Sequence, residues 1–183
     1  MEHYKNIHIQ LIKACKKGNR KAQTKLYSLY SKAMFNTAYR ILNNVHEAED
    51  AMQEAFIKAF NKLDTYSETV SFGAWLKKIV VNTSLDVLRK QKEFFENIDQ
   101  YPDIQDDEQC LDEREITFEA LKIRKAIMQL PVGYRIILSL YLLEGYDHDE
   151  ISGILGITAS TSRSQLTRAK KKLLNILQSH EAF

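Results

Sequence analysis

Apolar positions recur at helical spacing along most of the chain. Residues 7–17 read as a short amphipathic helix, closed by Gly18 and Asn19. A long helix is expected over about 20–42. Its buried side would carry Ala22, Leu26, Leu29, Tyr30, Ala33 and Ile41, and Asn43-Asn44 would end it. Asn44-Val45-His46-Glu47 has the form of a capping box, in which Asn44 and Glu47 satisfy each other's backbone amides. The helix it opens runs to about residue 63, with Val45, Ala48, Met52, Ala55, Phe56, Ala59, Phe60 and Leu63 in one wide stripe. Residues 64–71 are polar and read as a loop. A helix over about 72–92 follows, with Phe72, Trp75, Leu76, Ile79, Val80 and Val87 turned inward.

The stripe then lapses. Residues 93–115 include Tyr101-Pro102-Asp103 and Asp106-Asp107-Glu108, and read as a solvated connector. Helical spacing resumes over about 116–130. Pro131-Val132-Gly133 turns the chain, and 134–143 forms the next helix. The final pattern is the sharpest. Ile151, Ile154 and Leu155 mark a short helix that opens near Asp147, Gly156 suits a left-handed stop, and Thr158 suits an N-cap. The helix beyond has a narrow seam of Ser162, Leu166, Ala169 and Leu173. Two helices joined by so tight a turn make a helix-turn-helix, whose second helix enters a DNA major groove.

Composition supports an all-α chain of two small helical domains joined by an acidic flexible linker. Only 6 Gly and 2 Pro occur in 183 residues, and 44% of the residues are apolar, enough for a core. Cys15 and Cys110 have no neighbouring cysteine at metal-ligand spacing and read as free thiols. The first residues lack an apolar signal core and no stretch is long enough to span a membrane, so a cytoplasmic protein without membrane insertion is expected.

Charge sharpens this division. Residues 1–92 hold 16 basic and 8 acidic side chains, residues 93–115 hold 1 and 10, and residues 116–183 hold 9 and 6. Two basic lobes flank an acidic connector, which suits two contact zones on a polyanion. On the last helix Ser160, Thr161, Arg163, Ser164, Thr167, Arg168 and Lys171 lie on or beside the face opposite the seam. Hydroxyls and arginines near its start can reach base edges, and Lys170, Lys171 and Lys172 suit phosphates. The acids Glu47, Glu49, Asp50 and Glu54 fill the first half of the third helix, with Lys58 and Lys62 in its second. That order complements the helix dipole, and it also makes a docking surface for a basic protein. His46-Glu47 begins like a zinc-protease pair, but Asp50 stands where the second histidine must be, so no metal or other cofactor is expected.

Three motifs carry a family resemblance. They are Ala48-Glu49-Asp50-Ala51-Met52-Gln53-Glu54-Ala55-Phe56; Phe72-Gly73-Ala74-Trp75-Leu76-Lys77-Lys78-Ile79-Val80-Val81-Asn82 with Asp86-Val87-Leu88-Arg89; and Leu130-Pro131, Tyr134-Arg135, Glu150-Ile151 and Arg168-Ala169 around the helix-turn-helix. In this order and spacing the chain resembles the bacterial RNA polymerase sigma factors of the sigma-70 family, extracytoplasmic-function (ECF) group, over about 11–174. The resemblance implies a non-enzymatic subunit that binds core RNA polymerase, directs it to promoter DNA and helps open the duplex.

It implies residue roles as well. Glu49, Asp50, Gln53 and Glu54 would dock on the polymerase clamp. Tyr66, Trp75, Lys77, Lys78, Asn82, Arg89 and Lys90 would meet the minus-ten element, with the 64–71 loop capturing a flipped base and Tyr66 stacking on it. The helix-turn-helix domain, 116–183, would read the minus-thirty-five element, and the N-terminal domain, 1–92, would do the rest. The 93–115 linker would thread the polymerase cleft, its carboxylates imitating RNA. An anti-sigma factor is an implied partner. Family members usually carry a small aliphatic residue where this chain has Ser162, which puts a hydroxyl in the seam; a carbonyl one turn back would satisfy it. Two other functions compete: a stand-alone helix-turn-helix regulator, which would bind an operator as a dimer, and a metal-dependent nucleic-acid enzyme using Glu47, Asp50 and Glu54.

Overall fold

The computed structural model describes residues 8–90 and 118–179. The chain divides into two compact units, Met1–Lys90 and Gln91–Phe183. Among the described residues every regular element is helical. The connector expected over 93–115, and the helix start expected at Ile116, lie outside the described residues.

The first unit contains α1 (Ile9–Lys16), α2 (Arg20–Leu42), α3 (Val45–Asn61) and α4 (Phe72–Lys90). Helices α2, α3 and α4 pack mutually, and α1 lies on α2. Asn19 caps α2 by accepting from the Ala22 amide, and Asn43 ends it in the left-handed conformation at φ 55°. Asn44 caps α3 by accepting from the Glu47 amide. The alanines Ala48, Ala51, Ala55 and Ala59 line the buried side of α3. Their small side chains suit close helix approach, with Leu26, Ile41, Leu76 and Leu85 filling the space between.

Two details of this core differ from the sequence pattern. On α2 the buried side runs through Met34, Thr37 and Ala38, while Leu29 and Ala33 face outward. Helix α2 packs against both α3 and α4, so one stripe at ideal spacing does not describe its covered surface. On α4, Leu85 and Leu88 are buried and Val87 only half so. Between α3 and α4, Leu63–Thr65 forms a 3₁₀ turn, so the loop proper begins at Tyr66.

The second unit contains α5 (Phe118–Met128), α6 (Val132–Leu138), α7 (His148–Leu155) and α8 (Ala159–Ser179). Pro131 is the N-cap of α6, so Gly133 lies inside a helix and not in a turn. The π-turn Ser139–Leu143 ends this helix, with the Glu144 amide donating to the Ser139 carbonyl. Ile136, Leu138, Leu140, Ile151, Leu166 and Ala169 make the core. Arg135 is buried there too, and its guanidinium donates to the Leu130 carbonyl at 3.3 Å.

Candidate nucleic-acid interface

Three surfaces gather the residues singled out above. The first is on α3. Glu49, Asp50, Gln53 and Glu54 are all exposed, one helical turn apart in two rows. Ile57 extends the row of Glu49 and Gln53 by another turn and is 61% exposed, an apolar member that the acidic pattern hid. Glu54 is engaged along its own helix, where Lys58 Nζ lies 2.8 Å from its carboxylate. That hydrogen bond holds the Glu54 carboxyl below the ordinary range. Lys58 also donates to the Thr83 hydroxyl, which ties the pair to α4.

The second surface is the loop and the start of α4. Tyr66 does not offer its ring. It is 6% exposed and packs against Phe72 at 5.7 Å and Trp75 at 5.3 Å between centroids. The expected stacking platform is a packing residue, because this aromatic cluster offers the ring more apolar cover than the loop surface could. Its hydroxyl donates to the Val70 carbonyl at 2.7 Å and so closes the loop on itself. Burial pushes the phenol above its ordinary titration range, with the Glu68 carboxylate adding to the effect.

Ser67, Glu68, Thr69 and Val70 are left on the outside. Glu68 has φ +64°, a left-handed geometry unusual for a residue with a β-carbon. Lys16 of α1 donates to the Tyr66 carbonyl at 3.3 Å. Tyr30 of α2 packs edge-on to Phe72, and Gly73 leaves it room, since a β-carbon there would lie 3.1 Å from the Tyr30 ring. The Ser71 hydroxyl accepts from the Ala74 amide and caps α4.

Along α4, Lys78, Asn82, Arg89 and Lys90 are exposed and Lys77 and Trp75 half-buried. Asp86 and Arg89 form the ion pair their spacing allows, at 3.0 Å. Both groups are largely solvated, so that pair adds a few tenths of a kcal/mol at about the level of an exposed helical pair.

The third surface is the helix-turn-helix. Asp147 caps α7 in a complete capping box: its carboxylate accepts from the Asp149 and Glu150 amides, and the Asp147 amide donates to Glu150. Gly156 ends α7 at φ +70°, and the Thr158 hydroxyl accepts from the Thr161 amide at 3.0 Å to start α8. Ser162, Leu166 and Ala169 are buried as the seam requires, while Leu173 is half-buried. Ser160, Arg163, Ser164, Thr167, Arg168 and Lys171 are exposed, and Thr161 is half-buried. The Ser162 hydroxyl has a different partner from the expected carbonyl. It is hydrogen-bonded to Nδ1 of His148 on α7 at 2.9 Å. The His148 ring stacks on Tyr141 at 4.7 Å, and Lys170 of α8 sits 5.8 Å over Tyr141. Sequence spacing gives no sign of this cluster, because its members come from three separate elements.

No helix among the described residues is long and apolar enough to cross a membrane. Comparison with known proteins follows the same division in two. The profile for sigma-70 region 2 matches residues 26–94, and that for sigma-70 region 4 matches residues 120–173. The ECF RNA polymerase sigma factor SigW of Bacillus subtilis is 31% identical over 172 residues, covering 88% of this chain and 92% of that protein. The RNA polymerase sigma-H factor of Pseudomonas aeruginosa is 29% identical over 184 residues, covering 92% and 93%. In fold, the chain resembles CnrH solved with the cytosolic domain of CnrY (TM-score 0.55, 20% identity, 92% and 96% covered). It likewise resembles the sigma factor RpoE of Bartonella quintana solved with the anti-sigma factor NepR (TM-score 0.56, 22% identity, 85% and 96% covered). The chain belongs to the sigma-70 family of RNA polymerase sigma factors, within its ECF group.

Proposed function

We propose that this sigma factor docks on core RNA polymerase through the exposed face of α3 and grips a promoter at two points. The observation that carries this reading is the separation of sign within one small unit. Four polar or acidic side chains, Glu49, Asp50, Gln53 and Glu54, share the outer face of α3, while Lys78, Arg89 and Lys90 are exposed on α4. Opposite charges on different helices suit a basic protein surface on one side and a phosphate backbone on the other.

In this reading the Ser67–Thr69 hydroxyl pair, 3.1 Å apart, and the backbone of the loop meet the flipped base. Tyr66 and Trp75 shape the loop from within, and Lys77, Lys78, Asn82, Arg89 and Lys90 hold the opening duplex. Ser160, Arg163, Ser164, Thr167 and Arg168 read the upstream element, helped by Thr161 and Lys171. Bond formation belongs to the polymerase, and this chain contributes binding and positioning. The site of action is the cytoplasm. An anti-sigma protein is a further proposed partner, in keeping with the complexes in which CnrH and RpoE were solved.

The test is reconstitution with core polymerase. Asp50→Lys with Glu54→Lys should weaken core binding at least tenfold and leave binding of upstream-element DNA to the isolated chain unchanged. Arg163→Ala or Arg168→Ala should do the reverse, with each lost base contact costing about 1–3 kcal/mol of discrimination. A common defect in both sets would overturn the division of labour. Binding to an operator without polymerase, as a dimer, would favour the stand-alone regulator.

A further inference from the structure

From His3 to His46 the sequence contains no Asp or Glu. Within that run Lys13, Lys16, Lys17, Arg20, Lys21 and Lys25 all fall at the corner where α1 turns into α2, and all are exposed. The core does not need these charges, since the buried contacts of the corner are made by Ile12, Cys15, Ala22 and Leu26. Of the six, only Lys16 enters the surfaces assigned above, through the Tyr66 carbonyl. Like charges crowded at one corner repel one another, so such a cluster calls for an anionic partner.

Its position says which one. Lys16 Nζ donates to the carbonyl of Tyr66, the residue from which the loop springs. The 3₁₀ turn Leu63–Thr65 packs on α1 as well. The basic corner is therefore continuous with the root of the loop that, on the reading above, holds a base of the separated strand. Five of the six charges are lysines, which act as compact point charges for phosphate and lack the planar fork that reads base edges.

We infer that the α1–α2 corner is a backbone clamp for single-stranded DNA, holding the phosphates of the same strand whose base the loop captures. It adds affinity to the open state without adding sequence preference. This inference rests on the function proposed above, and the experiment separates the two.

Holoenzyme is assembled from core polymerase with either the wild-type chain or a triple variant, Lys13→Gln, Lys17→Gln and Lys21→Gln. Binding to a promoter carrying a pre-opened mismatch bubble is measured across a salt series. Three lost phosphate contacts should make the slope of log K against log salt shallower by about 2, at roughly 0.7 per contact to a single strand. Base preference in both promoter elements should stay as in the wild type, and Lys→Arg at the same three positions should restore the slope. An unchanged slope with a wild-type holoenzyme that binds normally would overturn the clamp alone. Failure of the wild-type holoenzyme to bind the promoter would overturn the proposed function and the clamp together. An equal change of slope on fully paired promoter DNA held closed at low temperature would overturn the single-strand assignment. So would a loss of core binding, which would point to an acidic protein surface. Unfolding midpoints of both variants, expected to match the wild type, exclude misfolding as the cause.

Discussion

Two connections in this molecule adjoin the proposed DNA surfaces, and they are held in opposite ways. The turn between α7 and α8 is made by local chemistry. Its parts are Gly156 at φ +70°, which ends α7, and the Thr158 hydroxyl on the Thr161 amide, which starts α8. The loop between α3 and α4 has local bonds as well, from Tyr66 to Val70 and from the Ala74 amide to Ser71. Its anchor is remote, however. The Tyr66 ring is plugged into Phe72 and Trp75, Tyr30 supports Phe72, and Lys16 grips the Tyr66 carbonyl from 50 residues away. A tight turn needs only caps and one permissive residue. A longer loop has more conformations to suppress, and a buried side chain suppresses them more effectively than a cap can.

The largest effect should come from the plug. Tyr66→Ala removes a buried aromatic side chain and should destabilise the first unit by about 3 kcal/mol, read from urea unfolding. Tyr66→Phe keeps the ring and loses only the bond to Val70, at a cost of about 1 kcal/mol. If both variants fell equally, the hydroxyl and not the ring would hold the loop, and the contrast with the capped turn would disappear.

A smaller effect is expected at the helix-turn-helix. Ser162→Ala and His148→Ala should each cost the second unit about 1 kcal/mol, and together less than their sum, because they remove the same bond. Full additivity would break the pairing. The effect confined to the narrowest range of conditions is at alkaline pH. Burial, reinforced by the Glu144 and Glu150 carboxylates, pushes the Tyr146 phenol up to about 12 from its ordinary 10.0. Folding therefore favours the neutral phenol. The stability it contributes is complete below pH 10 and is lost as pH rises through about 12. Tyr146→Phe should flatten that part of the pH–stability curve, and an unchanged curve would remove Tyr146 from the account.

The same contrast explains what could be read from residues alone. The capped turn is legible because Gly156 and Thr158 act on their own neighbours in the chain. The acidic face of α3 was legible too, since residues 49, 50, 53 and 54 must share a side of any helix. The resemblance puts Tyr66 on a flipped base, which needs an accessible ring, and the structure buries that ring. A tyrosine between polar residues suits a surface until Phe72, Trp75 and Tyr30 converge on it. Leu29 and Ala33 were misjudged for a related reason, as α2 is covered by two helices at once and one stripe cannot say where that cover begins.

Sequence by itself determined the helical class, the helix ends made by Asn44, Gly156 and Thr158, and the sign of charge on each exposed face. Those are consequences of periodicity and of contacts within one turn. Tertiary structure alone decided which side chains meet across the chain. It turned Tyr66 inward, laid Lys16 on its carbonyl, and gave the Ser162 hydroxyl a partner in His148. Such pairings depend on how whole helices pack, which no short stretch of residues specifies.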